Sequence, residues 1–349
     1  MKKGCPPWVK PNYVLELKNT EAFLIHPFAY GFLTLWAPMC FYNISDFFMM
    51  SVKTWWKLLK QAFKGWNEDE AFRQSAIVAY YSIFSLPGLL ILLISIGGAV
   101  YGQEAVQGRL VNEISGMIGY DAAQSVENMI ASSYRSDSGF IMRGVGIAIL
   151  LFGATTVFFQ LQKSLNNIWR VEQKPNSGIK RLIFDRAYSL GLILAIGFLL
   201  LISLVISAVL AAISEWMSRQ FPDYLLVLVN VLDFAITLGM ATILFALVFK
   251  VLPDVSVNWK SVWSGAFFTA ILFLIGKFVL SFYFGQAEPA SSYGAAGSIV
   301  LIMLWINYTC LIMFFGAEFT QAFAEHKGYR FKPAEHARWK AKYDKVEEK

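Results

Sequence analysis

The run LLVLVNVLDFAITLGMATILFALVF, Leu225 to Phe249, carries one charged side chain, Asp233, in its whole length. As a helix it would reach about 37 Å at 1.5 Å per residue, more than the roughly 30 Å hydrocarbon core of a bilayer. A helix that is apolar on every face has to be surrounded by protein or by lipid. Five further runs have the same character: Ala76 to Tyr101, Phe140 to Gln160, Tyr188 to Ile213, Val262 to Phe284 and Ser298 to Phe319. The chain is 56% hydrophobic and only 15% charged, with mean hydropathy +0.50. Soluble domains carry about 25% charged residues, so six apolar runs cannot all be hidden in one water-soluble core. The sequence therefore predicts an all-α polytopic membrane protein with six transmembrane helices.

Orientation follows from where Lys and Arg fall in the short connections. Lys53, Lys57, Lys60, Lys64 and Arg73 precede the first span, and Lys163, Arg170, Lys174, Lys180, Arg181 and Arg186 lie between the second and third. Lys250 and Lys260 lie between the fourth and fifth, and basic residues crowd the tail from Lys327 onward. The alternate loops are poor in them: the connection 102–139 sets Arg109 and Arg135 against five acidic residues, the loop near Phe221 has Arg219 alone, and the loop near Glu288 has neither Lys nor Arg. Both termini are thereby expected in the cytoplasm.

The expected organisation has four parts. Residues 1–48 mix Pro, Cys and aromatics without the layout of a signal peptide; they read as an extension upstream of a true start at Met49 or Met50, or as a peripheral segment. Residues 49–75 hold a cytoplasmic amphipathic interfacial helix: Val52, Trp55, Trp56, Leu59, Phe63 and Trp66 recur at helical spacing between lysines, a pattern for aromatic insertion into the interface with lysines on anionic headgroups along residues 52–66. Residues 76–325 form the six-helix membrane domain. Its outer loop 102–139 keeps a helical rhythm through Val106, Leu110, Ile114, Met117, Val126 and Met129. Residues 326–349 are a basic cytoplasmic tail.

Charge within a span is costly and needs a partner, a wet cavity or a route to the headgroups. Asp233 and Lys277 fall at similar expected depths in the outer half, which suggests a pair or shared pocket with Asn230 nearby; Lys277 snorkelling alone is the alternative. Pro87, within YYSIFSLPGLL, and the small residues of SSYGAAGSIV, with Tyr293, Gly294 and Gly297, suggest two interrupted helices bordering an outward-facing cavity. Close packing of small residues accounts for the second stretch equally well. Asn307 completes this outer set, as a cavity residue or an interhelical hydrogen-bonding group. On the inner side Gln160, Asp185, Arg186 and Glu318 form a candidate polar cluster, with interface charges reaching headgroups as the other reading. The cysteines Cys5, Cys40 and Cys310 lack metal-ligand spacing, and His26, His326 and His336 read as exposed terminal histidines, so neither a metal nor another cofactor is expected.

Several stretches carry a resemblance: AYYSIFSLPGLL (Ala79 to Leu90), FGATTVFFQLQKSLNNIW (Phe152 to Trp169), LPD (Leu252 to Asp254), SSYGAAGSIVLIMLWINY (Ser291 to Tyr308) and GAEF (Gly316 to Phe319). In order and over roughly residues 55–325, the chain resembles the YihY/BrkB family of bacterial inner-membrane proteins. The resemblance implies six spans and an inner-membrane location. Members have been labelled ribonuclease BN, a label later regarded as mistaken, and serum-resistance or virulence factors; some are suspected of moving lipids or lipid-linked precursors. The family supplies no settled catalytic residues to carry over.

Ribonuclease chemistry fits the residues poorly. There is no cluster of His and Asp to hold a metal-activated water, and the net charge of +6 is distributed over the expected cytoplasmic loops rather than on a nucleic-acid face. No Walker-type loop is present. The expected function is a non-enzymatic transporter or flippase for a lipid or other amphiphile, with membrane lipids as partners and no nucleic acid. A homo-oligomer is compatible with the sequence. The alternative is a membrane scaffold whose polar residues only hold helices together.

Overall fold

The computed structural model describes residues 50–134, 140–174, 224–287, 297–329 and 331–340, with Gly191. All of them belong to the compact unit Asn43–Lys349. Among the described residues the helices are α1 (Val52–Glu68), α2 (Ala71–Tyr101), α3 (Gln103–Ile118), α4 (Tyr120–Tyr134), α5 (Phe140–Ile168), α6 (Tyr224–Val251), α7 (Trp259–Ala287) and α8 (Gly297–His326). Four short strands join them: β1 (Val171–Gln173), β2 (Val255–Ser256), β3 (Lys332–Pro333) and β4 (Ala337–Trp339).

Five of the six apolar runs lie within helices, namely α2, α5, α6, α7 and α8; the run Tyr188 to Ile213 lies, apart from Gly191, outside the described residues. Among the described residues three segments, Val231–Val251, Trp259–Phe284 and Gly297–His326, are long and apolar enough to cross a membrane. Helix α8 is the axis of the bundle, packing against α1, α2 and α7, while α2 packs on α5 and α6 on α7.

The α7–α8 contact is close because small residues lie on both sides. Added Cβ atoms at Gly265 and Gly316 would overlap Thr320 and Thr269, and one at Gly276 would overlap the Tyr308 ring. Beyond this crossing, α3 and α4 pack over one end of the bundle, placing Val106, Ala122 and Val126 against Leu90, Ile94, Phe284, Leu301 and Ile302. Gly102 and Gly119, at φ 85° and 94°, make the two corners that bound α3; side chains with a Cβ rarely adopt this region.

The opposite end, where α8 finishes, is closed by the chain after it. Residues 331–340 run back across the bundle, pairing β3 with β2 and β4 with β1, both antiparallel. At least this part of the basic tail is docked.

Helix α1 departs in part from its expected role. Leu58 and Ala62 are buried, and Trp55, Leu59 and Trp66 pack beside them on the Phe315, Phe319 and Phe323 face of α8. Only Val52, Trp56 and Phe63 of the expected insertion set remain largely exposed. The physical reason is spacing: residues 55, 58, 59, 62 and 66 follow the i, i+3, i+4 rule for one helix face, so the aromatics divide between a protein-facing stripe and an outward one.

Candidate functional site

Two polar clusters occupy the end of the bundle where α8 finishes, and α5 contributes to both. The first centres on Asp254. Pro253 cannot continue helix α6, and the turn it makes turns Asp254 inward to 6% exposure. Oδ1 of Asp254 accepts from Gln162 Nε2 at 3.1 Å and meets His336 Nε2 at 2.8 Å. Oδ2 accepts from Asn166 Nδ2 at 2.8 Å and Gln173 Nε2 at 3.3 Å. The Asp254 amide donates to Asn166 Oδ1 at 2.7 Å, and its carbonyl accepts from the Ala334 amide at 3.0 Å. Gln162 and Asn166 are i, i+4 neighbours and share one face of α5. A carboxylate with two partners on each oxygen is fully hydrogen-bonded, so this cluster is a clasp that ties α5, the α6 end and the tail together. His336 is therefore not the exposed terminal histidine that the sequence suggests. The tail strands return it to a carboxylate 82 positions away in the chain.

The second cluster centres on Glu318 of α8, which is 4% exposed. Its carboxyl lies against Gly65 of α1, where any Cβ would overlap it. At the C-terminal end of α1 the chain turns sharply, Asp69 donating its amide to Gly65 O at 2.8 Å and Glu70 adopting φ 52°. This turn brings Asp69 to the pocket that Glu318 lines, where the two carboxyls interact. Asn167 Nδ2 lies 3.4 Å from Asp69 Oδ1, and Lys340 Nζ donates to Asn167 Oδ1. Arg170 bears electrostatically on both carboxyls. Burial pushes the Asp69 carboxyl above its usual range, with Glu318, Arg170 and Lys340 pulling the other way. Burial also lowers the Lys340 ammonium. A pocket of about 10 Å³ adjoins the pair, lined in part by Trp66, Gln74, Ser164 and Phe314, with Ser164 Oγ donating to Gln74 Oε1 at 2.9 Å. Glu318 Oε1 is buried without a hydrogen-bond partner.

The other sequence-selected residues fall as follows. Asp233 is exposed on α6 beside exposed Val231, Leu232 and Phe234, Lys277 is half-buried on α7, and no ion pair joins them. Helix register explains this. Phe245 meets Phe273 at 5.8 Å, so in the antiparallel pair Lys277 is level with residue 241, about 12 Å along the axis from Asp233 at 1.5 Å per residue. Asn307 donates Nδ2 to Ser75 Oγ at 3.2 Å, joining α8 to α2. Pro87 lies within α2, which continues unbroken from Ala71 to Tyr101. Gly297 is buried at the start of α8 and Asn230 lies in α6. Gln160 is half-buried, and its carbonyl lies 3.0 Å from Ser164 Oγ. Tyr293, Gly294, Asp185 and Arg186 lie outside the described residues. Asp69, the neighbour of Glu318, was not singled out by the sequence, where it sits in the acidic turn NEDE. No group of three or more His, Cys, Asp or Glu suited to a metal ion occurs among the described residues.

A family model described as Virulence factor BrkB matches residues 62–341. The chain is similar to a UPF0761 membrane protein of Verminephrobacter eiseniae, with 30% identity over 62% of this chain and 49% of the relative. It is similar to another of Pseudoalteromonas translucida, with 24% identity over 78% of this chain and 87% of that relative, and to one of Teredinibacter turnerae, with 26% identity over 79% and 64%. It spans about half the length, or less, of the first relatives it matches. No solved structure matches the chain.

Proposed function

The chain belongs to the family described as Virulence factor BrkB, and from that premise we propose a multi-pass transporter or flippase of the bacterial inner membrane, moving a lipid or other amphiphile without an ATPase or enzymatic activity of its own. Six spans with both termini in the cytoplasm place the end of α8 on the cytoplasmic face. Helix α1 then lies at the headgroup level, with Trp56 and Phe63 toward the bilayer and Lys53, Lys57, Lys60 and Lys64 toward anionic lipid.

The observation that carries the transport reading is the Glu318 carboxyl, 4% exposed in a helix otherwise apolar enough to cross a membrane. An ionisable group kept in such a helix, in contact with a second carboxyl and with one oxygen unpartnered, is costly to stability and typical of paths for protons, ions or polar headgroups. The competing scaffold reading draws on the Asp254 clasp, whose partners are all internal. Reconstitution in liposomes with headgroup-labelled lipids separates the two. Transport predicts protein-dependent movement of label between leaflets that slows in Glu318→Gln. No movement by the unaltered protein across neutral, zwitterionic and anionic lipids would leave the scaffold standing.

A further inference from the structure

We propose that Asp69 and Glu318 form a proton-binding site, in which the two carboxyl groups hold one exchangeable proton between them. Asp69 and Glu318 line one small pocket; two carboxylates are acceptors only, so neither can donate to the other unless one of them is protonated. Glu318 Oε1 is buried without a hydrogen-bond partner, and two N–H groups beside the pair are committed. Trp66 Nε1 donates to Leu311 O at 3.1 Å and Asn167 Nδ2 is directed at Asp69. A single proton supplies the missing donor and removes the like-charge contact that otherwise has to be sustained out of water.

The surroundings favour a proton over a metal cation. Arg170 and Lys340 already bring positive charge to the pair, opposed by Glu68 near Asp69 and Glu325 near Glu318. The neutral oxygens lining the pocket belong to Gln74 and Ser164, and Gln74 Oε1 already accepts from Ser164. A hard divalent cation needs about six or more oxygen ligands, whereas a pocket of about 10 Å³ has room for about one water. Gly65 belongs to the same construction: its missing side chain lets the Glu318 carboxyl approach α1 and reach Asp69. Loss of the proton would leave two adjacent anions at the joint between α1 and α8, next to the left-handed turn at Glu70. The inference deepens the transport reading by naming a species that the site holds. It rests on that reading only for the use made of the proton, and binding is tested without transport.

The test is infrared difference spectroscopy of the full chain in lipid nanodiscs, titrated in H2O and D2O. The expected result is a protonated-carboxyl C=O band present at neutral pH, shifted in D2O, lost on alkalinisation and absent in both Glu318→Gln and Asp69→Asn. A spectrum of the unaltered protein without such a band at neutral pH overturns the proposal, and so does a band that both variants retain. Loss of the band when sodium or magnesium is added at constant pH also overturns it, assigning the site to a metal cation. Because the first criterion needs only the unaltered protein, a variant that fails to fold does not remove the test. Absence of lipid movement in liposomes would count against transport while leaving this spectrum unaffected.

Discussion

Thr320 of α8 occupies the notch left by Gly265 of α7, and one turn along the pair Thr269 of α7 occupies the notch left by Gly316 of α8. Each hydroxyl also donates to the carbonyl of the glycine four residues before it on its own helix, at 2.7 Å in both cases. The antiparallel crossing thus repeats one device, GAFFT in α7 against GAEFT in α8, with Phe268 stacked on Phe319 at 4.1 Å. Gly265→Ala and Gly316→Ala are each expected to lower stability by about 1–3 kcal/mol, the cost of overpacking a filled contact. Thermal unfolding in detergent measures this. Adding Thr320→Ala to Gly265→Ala should cost less than the sum of the two single changes, because they share one contact; strict additivity would disprove the notch.

The same device shows what was readable before the structure. GAEF stood out in the sequence, and the apolar runs located the helices because their composition alone restricts where they can reside. The match between GAFFT and GAEFT acquires meaning only once α7 and α8 are antiparallel in this register. Asp69 was hidden for a different reason. A carboxyl in the run NEDE looks like part of a solvated turn, and nothing local indicates that Gly65 opens a route to Glu318. His336 looks exposed in the sequence because its partner Asp254 is distant along the chain. Depth counted from the span ends sets Asp233 level with Lys277, but tilt and register shift such depths by whole turns.

Asp254→Ala should be among the most damaging substitutions at the α8 end, at about 3–5 kcal/mol, since it leaves the donors of Gln162, Asn166, Gln173 and His336 facing a vacated buried position. Asp254→Asn should cost less because it keeps an acceptor oxygen. His336→Ala should chiefly loosen the tail. Limited proteolysis between residues 331 and 340 is expected to speed up in His336→Ala, and an unchanged cleavage rate would mean that the strand pairs alone hold the tail.

The exposed stripe of α1 predicts distinct behaviour for three tryptophans. Trp56 is 71% exposed, whereas Trp55 and Trp66 pack on α8. In vesicles containing brominated lipid, Trp56→Phe should remove a quenchable component that Trp55→Phe leaves in place. Replacing Lys53, Lys57, Lys60 and Lys64 together by Gln should weaken association of anionic lipid by about 1 kcal/mol per lysine near the surface, measured by native mass spectrometry. Equal quenching losses for Trp55 and Trp56 would contradict the division of the helix face.

Asp69 gives the pH dependence of the α1–α8 joint a definite sign. Burial raises its folded pKa above the ordinary carboxylate range, so the folded state binds this proton more tightly than the unfolded chain does. Its stabilising contribution is complete below the ordinary carboxylate range and is lost as pH rises through the folded value. Lys340 adds its own slope at higher pH: burial lowers its folded pKa below 10.5, so the unfolded chain binds that proton more tightly and stability recovers as pH rises between the folded and the ordinary value. Lowering the pH through the folded Asp69 value should therefore strengthen the joint. The check is hydrogen exchange of the α1 amides as a function of pH, corrected for the intrinsic exchange rate, in the unaltered protein and in Asp69→Asn. Protection of Gly65 and Trp66 should increase on acidification in the former, and the variant, which cannot titrate at this position, should show a flatter dependence. An equally steep dependence in Asp69→Asn would assign the slope to another group and remove Asp69 from the account.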